Sequence, residues 1–562
     1  MILDYNKRIN SVEKSMTIRI FAAIFFLNLI LVSTIARSDW VNLTGAEISP
    51  NIAEIYVLDD QVKLVLEIYV GNLDAFDELI PDDWLKDSSI NRPPVEERLR
   101  QFATERFQFV TGTGEKLPAK LMLAEPRLRI DRQSRFAGKI NPYTQQRIPE
   151  APEDKRVLYV EISYPFTTKP AILTIIPPLD KEGRKLISMG FIAYHKSVPI
   201  IDFRYLGESA KLNLNWQDPW YTKFDNRNLT RHHKYPLMLY LYVEPRQVRL
   251  ESLMRFRDIA ELTGFDVDDS QVKIEVKYRR LQEHIKNYYA NKEVLKIDDG
   301  SFKPDSIRVR ALNATLTGLK VIDIETAADE YSLLVGISQQ YFIAALPQKI
   351  ESQWQFFNQR IDRIPVIVTD PVGPLQTFID KDDAEFGWQN FLKKYSEPVV
   401  QPVSVATGWS LNIPFIGETK ILNQLPDQQQ ALSIVGGVLK NARAAFIEKE
   451  PGKLSRALGE VISAKQSGAV EKELRKLFSP EVTGGAIGAV QEFDELQIVN
   501  IRELNNSGGF STTVSGSAYI SAQHWGHTDR RLVKFQLLLD LIEENKQWRL
   551  AELTVVDIKQ IK

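Results

Sequence analysis

VKLVLEIYVGNLDAF, at residues 62–76, is the stretch that decides the fold, and VRLESLMRFRDIAEL at residues 248–262 repeats its pattern. In the first half of the leading copy, apolar side chains alternate with others, which is the period-two pattern of a strand with one buried face. A second pair of motifs, GEKLP at residues 114–118 and GSFKP at residues 300–304, has the same separation of 186 residues. Equal offsets for two different motifs indicate a tandem repeat.

Many short strand patterns, separated by Gly, Pro and Asp turns, surround both copies of the repeat. A helical pattern lies between the two motifs of each copy, at residues 95–106 and 274–289. Strands at this spacing are typical of β-sandwiches. We therefore expect a multidomain, mainly β protein with two tandem related β-sandwich-like domains, at residues 40–245 and 246–395, each with a helical insertion.

The C-terminal third of the chain changes character. Residues 396–426 are rich in Pro, Gly and Ser, which predicts a linker. From Asp427, a residue suited to cap a helix after Pro426, apolar residues follow a 3.6-residue period. Two shorter helical patterns and four long strand patterns come next, so residues 427–562 are expected to form an α+β domain.

Three helices followed by a hairpin-rich sheet resemble the nuclear-transport-factor-two-like, or ketosteroid-isomerase-like, superfamily. The stretch KQWRLAEL at residues 546–553, a turn followed by Trp and an alternating strand, is similar to the last strand of that superfamily. The resemblance covers about residues 430–562 and implies a cone-like domain whose mouth holds a small apolar ligand in some members. Many members serve only in binding or association, and fold similarity alone assigns no activity.

Two further resemblances concern the whole arrangement. With NWQDPWYTKF at residues 215–224 and HWGHTDRRLVKF at residues 524–535, the chain resembles uncharacterised exported proteins of environmental bacteria. The β units are similar in general pattern to extracytoplasmic domains of HupE/UreJ-type membrane proteins. That similarity implies a membrane or envelope protein, such as a transporter, as a partner.

The N-terminus has the profile of a signal peptide at residues 1–38. An apolar run at residues 20–36 follows Lys14 and Arg19 and precedes polar residues. Translation from Met16 would give a signal of ordinary length. The alternative is an uncleaved anchor in the inner membrane, because the run is near the lower length limit of a spanning helix. Either way, the rest of the chain is expected in the periplasm or cell envelope.

Composition excludes several classes of function. Lys and Arg total 71 and Asp and Glu total 73, so a net charge of -2 provides no field that would attract nucleic acid. The absence of Cys excludes disulfides, thiol catalysis and thiolate zinc sites. His and carboxylate side chains are therefore the strong metal ligands that remain.

One constellation suggests a metal site. His524, His527 and Asp529 could together supply three ligands to a divalent metal. In a strand, residues three apart point to opposite faces, so the two His side chains converge only if Gly526 permits a turn or bulge. Packing of a hairpin or surface is the alternative explanation. The sequence contains no nucleophile elbow, phosphate loop or His-Glu-x-x-His motif, and no catalytic residue is assigned.

We therefore expect an exported, non-enzymatic binding or assembly module of the cell envelope, accessory to a membrane transport protein. One alternative is a small-molecule-binding protein or enzyme that uses the C-terminal cone pocket for a small apolar ligand. Another is divalent metal binding through the His pair; no other cofactor is expected.

Overall fold

The structure is a computed structural model, and the residues that it describes are 43–84, 92–132, 134, 136–266, 272–315, 318–327, 329–393, 395–413, 417–423, 425–464, 467–480, 486–504 and 508–561. Residues 408–413, 417–423 and 527 are described by their backbone alone. The signal-peptide prediction, with Met16, lies outside the described residues. The fold is mainly β, with several sheets and a few helices, as expected. Within these residues, no helix combines the length and the apolar character needed to cross a membrane.

The first unit is built from two sheets that share one core. Its strands, β1 to β11 in chain order, are Asn51–Val57, Gln61–Tyr69, Gln108–Thr111, Lys120–Leu128, Arg156–Pro165, Ile172–Ile176, Met189–His195, Val198–Pro199, Arg204–Tyr205, Ala210–Asn213 and Lys223–Phe224. Helix α1, Val95–Gln101, continues into a π-helical turn at Phe102–Arg106. The seven-stranded sheet has the order β4-β5-β2-β1-β7-β8, with β9 beside β7, and the four-stranded sheet has the order β11-β10-β6-β3.

The second unit has the same two-layer construction around its own core. Its strands, β12 to β22, are Leu237–Glu244, Gln247–Arg255, Leu295–Ile297, Gly300–Phe302, Ser306–Thr315, Gly318–Val321, Leu334–Phe342, Lys349–Gln353, Arg363–Thr369, Pro374–Asp380 and Glu385–Gln389. Helices α2, Phe256–Thr263, and α3, Ile274–Ala290, follow its first hairpin. The seven-stranded sheet has the order β17-β16-β18-β13-β12-β20-β21, and the four-stranded sheet has the order β15-β14-β19-β22.

The two seven-stranded sheets connect their strands in the same way. Each begins with an antiparallel hairpin, β1–β2 or β12–β13, whose first strand also pairs in parallel with a late strand, β7 or β20. The second strand of each hairpin pairs antiparallel with β5 or β18. The smaller sheets also agree, because β3–β6–β10 and β14–β19–β22 are both antiparallel in that order.

The boundary between the units differs from the expected one. Strand β12 pairs with β13 along its whole length and in parallel with β20, so it belongs to the second sheet. The predicted boundary between residues 245 and 246 falls in the turn that joins β12 to β13. By sheet membership, the second unit begins before Leu237.

The C-terminal domain has three helices and then a four-stranded antiparallel sheet. The helices are α4, Gln428–Ala445, α5, Pro451–Leu458, and α6, Ser467–Phe478. The strands, β25 to β28, are Ala489–Leu504, Gly509–His524, His527–Glu544 and Gln547–Ile561, and they pair in chain order. Asp427 caps α4 in a capping box with Gln430, as its position predicted.

The segment expected to be a linker is part of this domain's packing. It holds a two-stranded hairpin of β23, Gly408–Ile413, and β24, Gly417–Asn423. Before that hairpin, the Trp548 backbone N–H donates to the Val403 carbonyl at 2.9 Å, and the Trp548 indole donates to the Val405 carbonyl at 2.9 Å. Both valines pack against the core of the C-terminal domain. The Pro-rich composition hid this role because the contacts come from isolated apolar residues and from backbone groups, such as the Gln401 N–H that donates to Asn441 Oδ1 at 3.0 Å.

Candidate functional site

The motif that suggested a metal site forms the tip of the hairpin between β26 and β27. Trp525 and Gly526 are its two turn residues, with φ angles of 46° and 77°. Two residues at positive φ make the type of turn that matches the twist of paired strands. Gly adopts this conformation freely, whereas a bulky residue such as Trp rarely does, at a cost of about 1–2 kcal/mol. Contacts elsewhere must therefore stabilise Trp525.

Those contacts come from the second seven-stranded sheet. The Trp525 backbone N–H donates to Glu251 Oε2 at 2.7 Å, and the Gly526 N–H donates to the Tyr242 hydroxyl at 2.9 Å. Arg249 Nη2 donates to the Gln523 carbonyl at 2.6 Å. Because donors and acceptors of the tip are bonded to β12 and β13, the hairpin is anchored to the face of that sheet. We call this surface the outer face of the second sheet; it includes Tyr242, Arg249 and Glu251.

The indole of Trp525 is buried in an aromatic and aliphatic cluster on the outer face. The cluster also contains Trp220 of the first unit, and its remaining buried members are Val198, Tyr240, Tyr242, Leu253, Leu312, Leu319 and Leu334. Gly336 allows close approach, since a Cβ there would lie 2.4 Å from the indole Cη2. A Cβ on Gly526 would lie 2.3 Å from Tyr240 Cε1. Residues of the first unit, the second unit and the C-terminal domain thus share one cluster.

A buried ion pair joins the first unit to the second. The fully buried Arg255 donates to both carboxylate oxygens of Asp218, at 2.9 and 2.8 Å, and lies 3.5 Å from Asp258. Asp218 belongs to the aromatic stretch at residues 215–224, and the neighbouring Trp220 lies under the Arg255 guanidinium at 5.0 Å. Asp218 and Trp220 of this stretch therefore pack the first unit against the second.

Burial sets the electrostatics of the anchoring residues. The pKa of Glu251 is raised by its burial, while Arg249, the Trp525 N–H and Arg308 favour its charged form. Arg249 Nε lies 3.3 Å from Glu251 Oε1. Burial and the nearby Glu251 charge raise the pKa of Tyr242 well above its ordinary value. Tyr242 is thus a neutral phenol that accepts the hydrogen bond from Gly526.

A cleft lies beside the hairpin tip, between the outer face of the second sheet and the C-terminal domain. Its volume is about 470 Å³. Polar side chains from the second sheet form one wall, and they include Arg249, Glu251, Arg308, Arg310, Ser338 and Gln340. The C-terminal domain contributes apolar side chains opposite, namely Phe446, Leu454, Phe478, Ala486, Ile487 and Val490. Arg443, Lys449 and Arg475 add positive charge on that side.

The proposed metal ligands lie at this junction. The turn places His524 directly opposite His527 in the hairpin, and His524 is buried at the cleft wall. Asp529 pairs with Arg531, and its position lies on the same strand face as that of His527. The side chain of His527 lies outside the described residues. Among the side chains that are described, no group of three or more His, Asp or Glu could hold a metal, and the metal site remains a prediction.

The sequence did not identify the residues that anchor the tip. Glu251 and Tyr242 are 274 and 284 residues away from their partners in the tip, so no local pattern connects them. The sequence did contain one indication of this surface. Arg249 and Glu251 are alternate residues of a strand, so both charged side chains lie on the face that points away from the core of the unit. Charged side chains side by side on a strand of the second unit indicate a surface that another part of the chain can cover.

No protein-family model matches the chain, and no curated protein matches it. Among solved structures, the crystal structure of the intermembrane space region of the chloroplast protein ARC6 aligns with 23% of this chain and 95% of that chain. The identity is 12% and the TM-score is 0.17. That degree of likeness establishes neither a shared fold nor a shared function.

Proposed function

We propose that the protein is an exported, non-enzymatic binding module of the cell envelope and that it binds in the cleft beside the hairpin tip. The observation that carries this proposal is that the two walls of the cleft come from different domains and carry different kinds of side chain. The second sheet supplies charged side chains, the C-terminal domain supplies apolar ones, and the tip holds the two walls at a fixed separation. A cavity of about 470 Å³ is in the range of about 300–1,000 Å³ typical of ligand sites, which often lie at domain interfaces.

The two β units are proposed to be tandem copies of one sandwich. Their sheets share strand order and pairing, and the repeated stretches at an offset of 186 residues fall on β2 and β13, the second strands of the equivalent hairpins. The order of helices and strands in the C-terminal domain supports its assignment to the nuclear-transport-factor-two-like superfamily. Export is proposed from the N-terminal sequence, and the partner is proposed to be a membrane or envelope protein such as a transporter.

A pocket inside the C-terminal sheet is the less favoured site. The space between that sheet and its helices holds aromatic side chains that touch one another. Phe478 and Phe493 have ring centroids 6.0 Å apart, and Phe493 and Phe535 are also 6.0 Å apart. Acids suited to isomerase chemistry are elsewhere, since Glu552 is exposed and Asp557 pairs with Lys559 at 2.8 Å. A small molecule is therefore better accommodated in the cleft.

Crosslinking from the cleft tests this proposal. Because the chain has no Cys, the variant Ser396→Cys places a unique thiol at the exposed rim of the cleft. A benzophenone maleimide attached there, irradiated in intact envelopes, should capture a defined product. The matched control Ser301→Cys carries the same reagent on the exposed strand β15, away from the cleft. Identical products from both variants, or no product from the cleft variant, would contradict the proposal.

A further inference from the structure

We infer that the ligand of the cleft is a neutral oligosaccharide. The inference rests on the proposed binding function of the cleft and adds the class of ligand. It follows from a row of neutral polar side chains on the wall that the second sheet forms. These side chains are buried, they line the cleft, and nothing in the described part of the chain hydrogen-bonds them.

The row consists of Gln247 on β13 and of Ser338 and Gln340 on β18. Only 5%, 7% and 7% of their respective surfaces are exposed. No other described residue exchanges a hydrogen bond with these three side chains. A ligand that displaces water from the cleft must therefore bond their amide and hydroxyl groups, because each buried polar group left unpaired costs about 1–3 kcal/mol.

The three side chains are close enough for one ligand to contact all of them. In the antiparallel register of β18 and β13, Ser338 pairs with Glu251 and Gln340 pairs with Arg249. Gln247 lies two residues from Arg249, so its side chain leaves the same face of the sheet. Neighbouring positions on one face of paired strands are about 5–8 Å apart. A ligand the size of one or two sugar rings therefore spans the row.

The chemistry of the row matches a saccharide. Amide and hydroxyl side chains each donate and accept hydrogen bonds, as the hydroxyl groups of a sugar do. Phe342 continues the row, since it alternates with Gln340 on β18, lines the cleft and is half-buried. An aromatic ring packs against the apolar C–H face of a sugar ring. A saccharide therefore offers partners to the polar groups and to the ring together.

The rest of the cleft disfavours a charged or a lipid-like ligand. Arg308 and Arg310 already interact with other groups of the protein, and Arg443 Nε donates to the Val490 carbonyl at 3.2 Å. The other lining cations are in ion pairs, which are Arg249–Glu251 at 3.3 Å, Lys449–Glu244 at 4.0 Å and Arg475–Glu471 at 2.5 Å. The apolar side chains opposite are buried apart from Ile487, so the cleft offers little surface to an apolar tail.

An array of immobilised oligosaccharides, probed with the full chain, tests the class of ligand. The array contains matched pairs, in which a neutral oligosaccharide is compared with its sulfated or uronic-acid derivative. At least one neutral member should bind, and its acidic derivative should bind no more tightly. Binding of acidic members alone, or of no neutral member, would overturn the inference.

Titration calorimetry with the neutral oligosaccharide that binds best tests the site. The double variant Gln247→Met/Gln340→Met should bind about tenfold more weakly or worse, because each lost hydrogen bond weakens binding about two- to tenfold. Phe342→Leu should bind about threefold more weakly, through loss of the ring. The matched control Gln353→Met, on the exposed side of β19, should bind as the unchanged protein does. Unfolding curves for each variant confirm that the protein is folded. Unchanged binding by the double variant would overturn the inference.

The crosslinking experiment separates failure of this inference from failure of the proposed function. If no neutral oligosaccharide binds but the Ser396→Cys variant still gives its specific crosslink, the ligand class is wrong and the proposed binding function stands. If an oligosaccharide binds and the double variant binds it equally well, the saccharide lies outside the cleft and the inference is again wrong. Failure of the array and of the crosslink together would remove both proposals.

Discussion

The two seven-stranded sheets share the order of six strands, but the faces that point away from their cores are covered in different ways. On the first sheet, Arg132 bonds Glu54 at 2.8 Å and Glu67 at 2.7 Å, and Phe203 packs over the apolar part, so residues of the same unit close the face. On the second sheet, Trp220 comes from the first unit and Trp525 from the C-terminal domain. Part of that second face remains open as the cleft.

This difference separates a structural role from a binding role for the same surface. On the first sheet, Arg132 neutralises Glu54 and Glu67, and the rest of the face packs into a second, small hydrophobic cluster. Where the face is shared with another domain, its Glu251 accepts a hydrogen bond from a backbone N–H of that domain, and its arginines line a cavity. The predictions below disturb one face or the other, so that their effects can be compared.

The largest effect is expected from Trp525→Ala. Loss of a fully packed indole costs about 3–5 kcal/mol, and here the loss falls on the contact that joins two parts of the chain. Calorimetry should show the C-terminal domain unfolding in a transition of its own. Trp216→Ala, which changes a partly buried indole within the first unit, should leave the C-terminal domain coupled to the second unit. A single unshifted transition in the Trp525 variant would contradict the anchoring role.

The corresponding change on the first sheet is Arg132→Met. It leaves two carboxylates without their partner, and Glu67 is nearly buried, so the free energy of unfolding should fall by about 3 kcal/mol. The effect should appear in chemical denaturation of the first unit and should spare the hairpin tip. A loss of C-terminal coupling equal to that of Trp525→Ala would mean that the two faces do not differ as described.

Buried His195 provides a pH test within the first unit. Its pKa is lowered to about 4, chiefly by burial, and its Nδ1 lies 2.7 Å from the Thr222 hydroxyl. The unfolded chain binds this proton near pH 6.5, so the neutral ring contributes stability above that pH and loses it as pH falls towards 4. The contribution is up to about 3 kcal/mol. His195→Gln should therefore lose less stability between pH 6.5 and pH 4 in denaturation series.

Asp202 acts in the opposite direction over the same range. Burial raises its pKa to about 6, so the folded state holds a proton that the unfolded chain has released. Stability from this group falls as pH rises towards 6. Because Asp202 is present in both proteins, its contribution cancels when the His195→Gln series is compared with the unchanged protein. Parallel pH profiles for the two would contradict the assignment to His195.

The smallest effect concerns the turn itself. Gly526→Ala combines a positive φ of 77° with a Cβ that meets Tyr240, and should lower the free energy of unfolding by about 2 kcal/mol or more. Gly264→Ala has a similar φ of 70° with no neighbour within 4 Å, and should cost about 1 kcal/mol. Urea denaturation measures both. Equal losses would show that Tyr240 does not restrict the tip.

Local patterns predicted the elements well. The alternation at residues 62–70 corresponds to β2, Gln61–Tyr69, and the capped helix after Asp427 corresponds to α4. The four C-terminal strands were also expected, although two of them extend to within two residues of each other around Trp525 and Gly526. Alternation and capping are set by neighbours in sequence, which explains why the sequence was sufficient for them.

Contacts between distant parts of the chain could not be predicted from the sequence. The pairing of β12 with β20, a strand more than 120 residues later, could not be read from the sequence around the turn at residues 245–246. The anchoring of Trp525 by Glu251 depends on a fold that brings two strands together across 274 residues. The residue types of His524 and His527 suggested a metal site, whereas the structure shows that Trp525 between them anchors the hairpin to the second sheet.

The most direct test of the central claim is photocrosslinking from Ser396→Cys in the Trp525→Ala and Arg132→Met backgrounds, at a temperature where both variants are folded. If the cleft depends on the anchored hairpin, the Trp525→Ala background loses the crosslinked product of the cleft, and the Arg132→Met background retains it. An undiminished product in the Trp525→Ala background, or an equal loss in both backgrounds, would contradict the account.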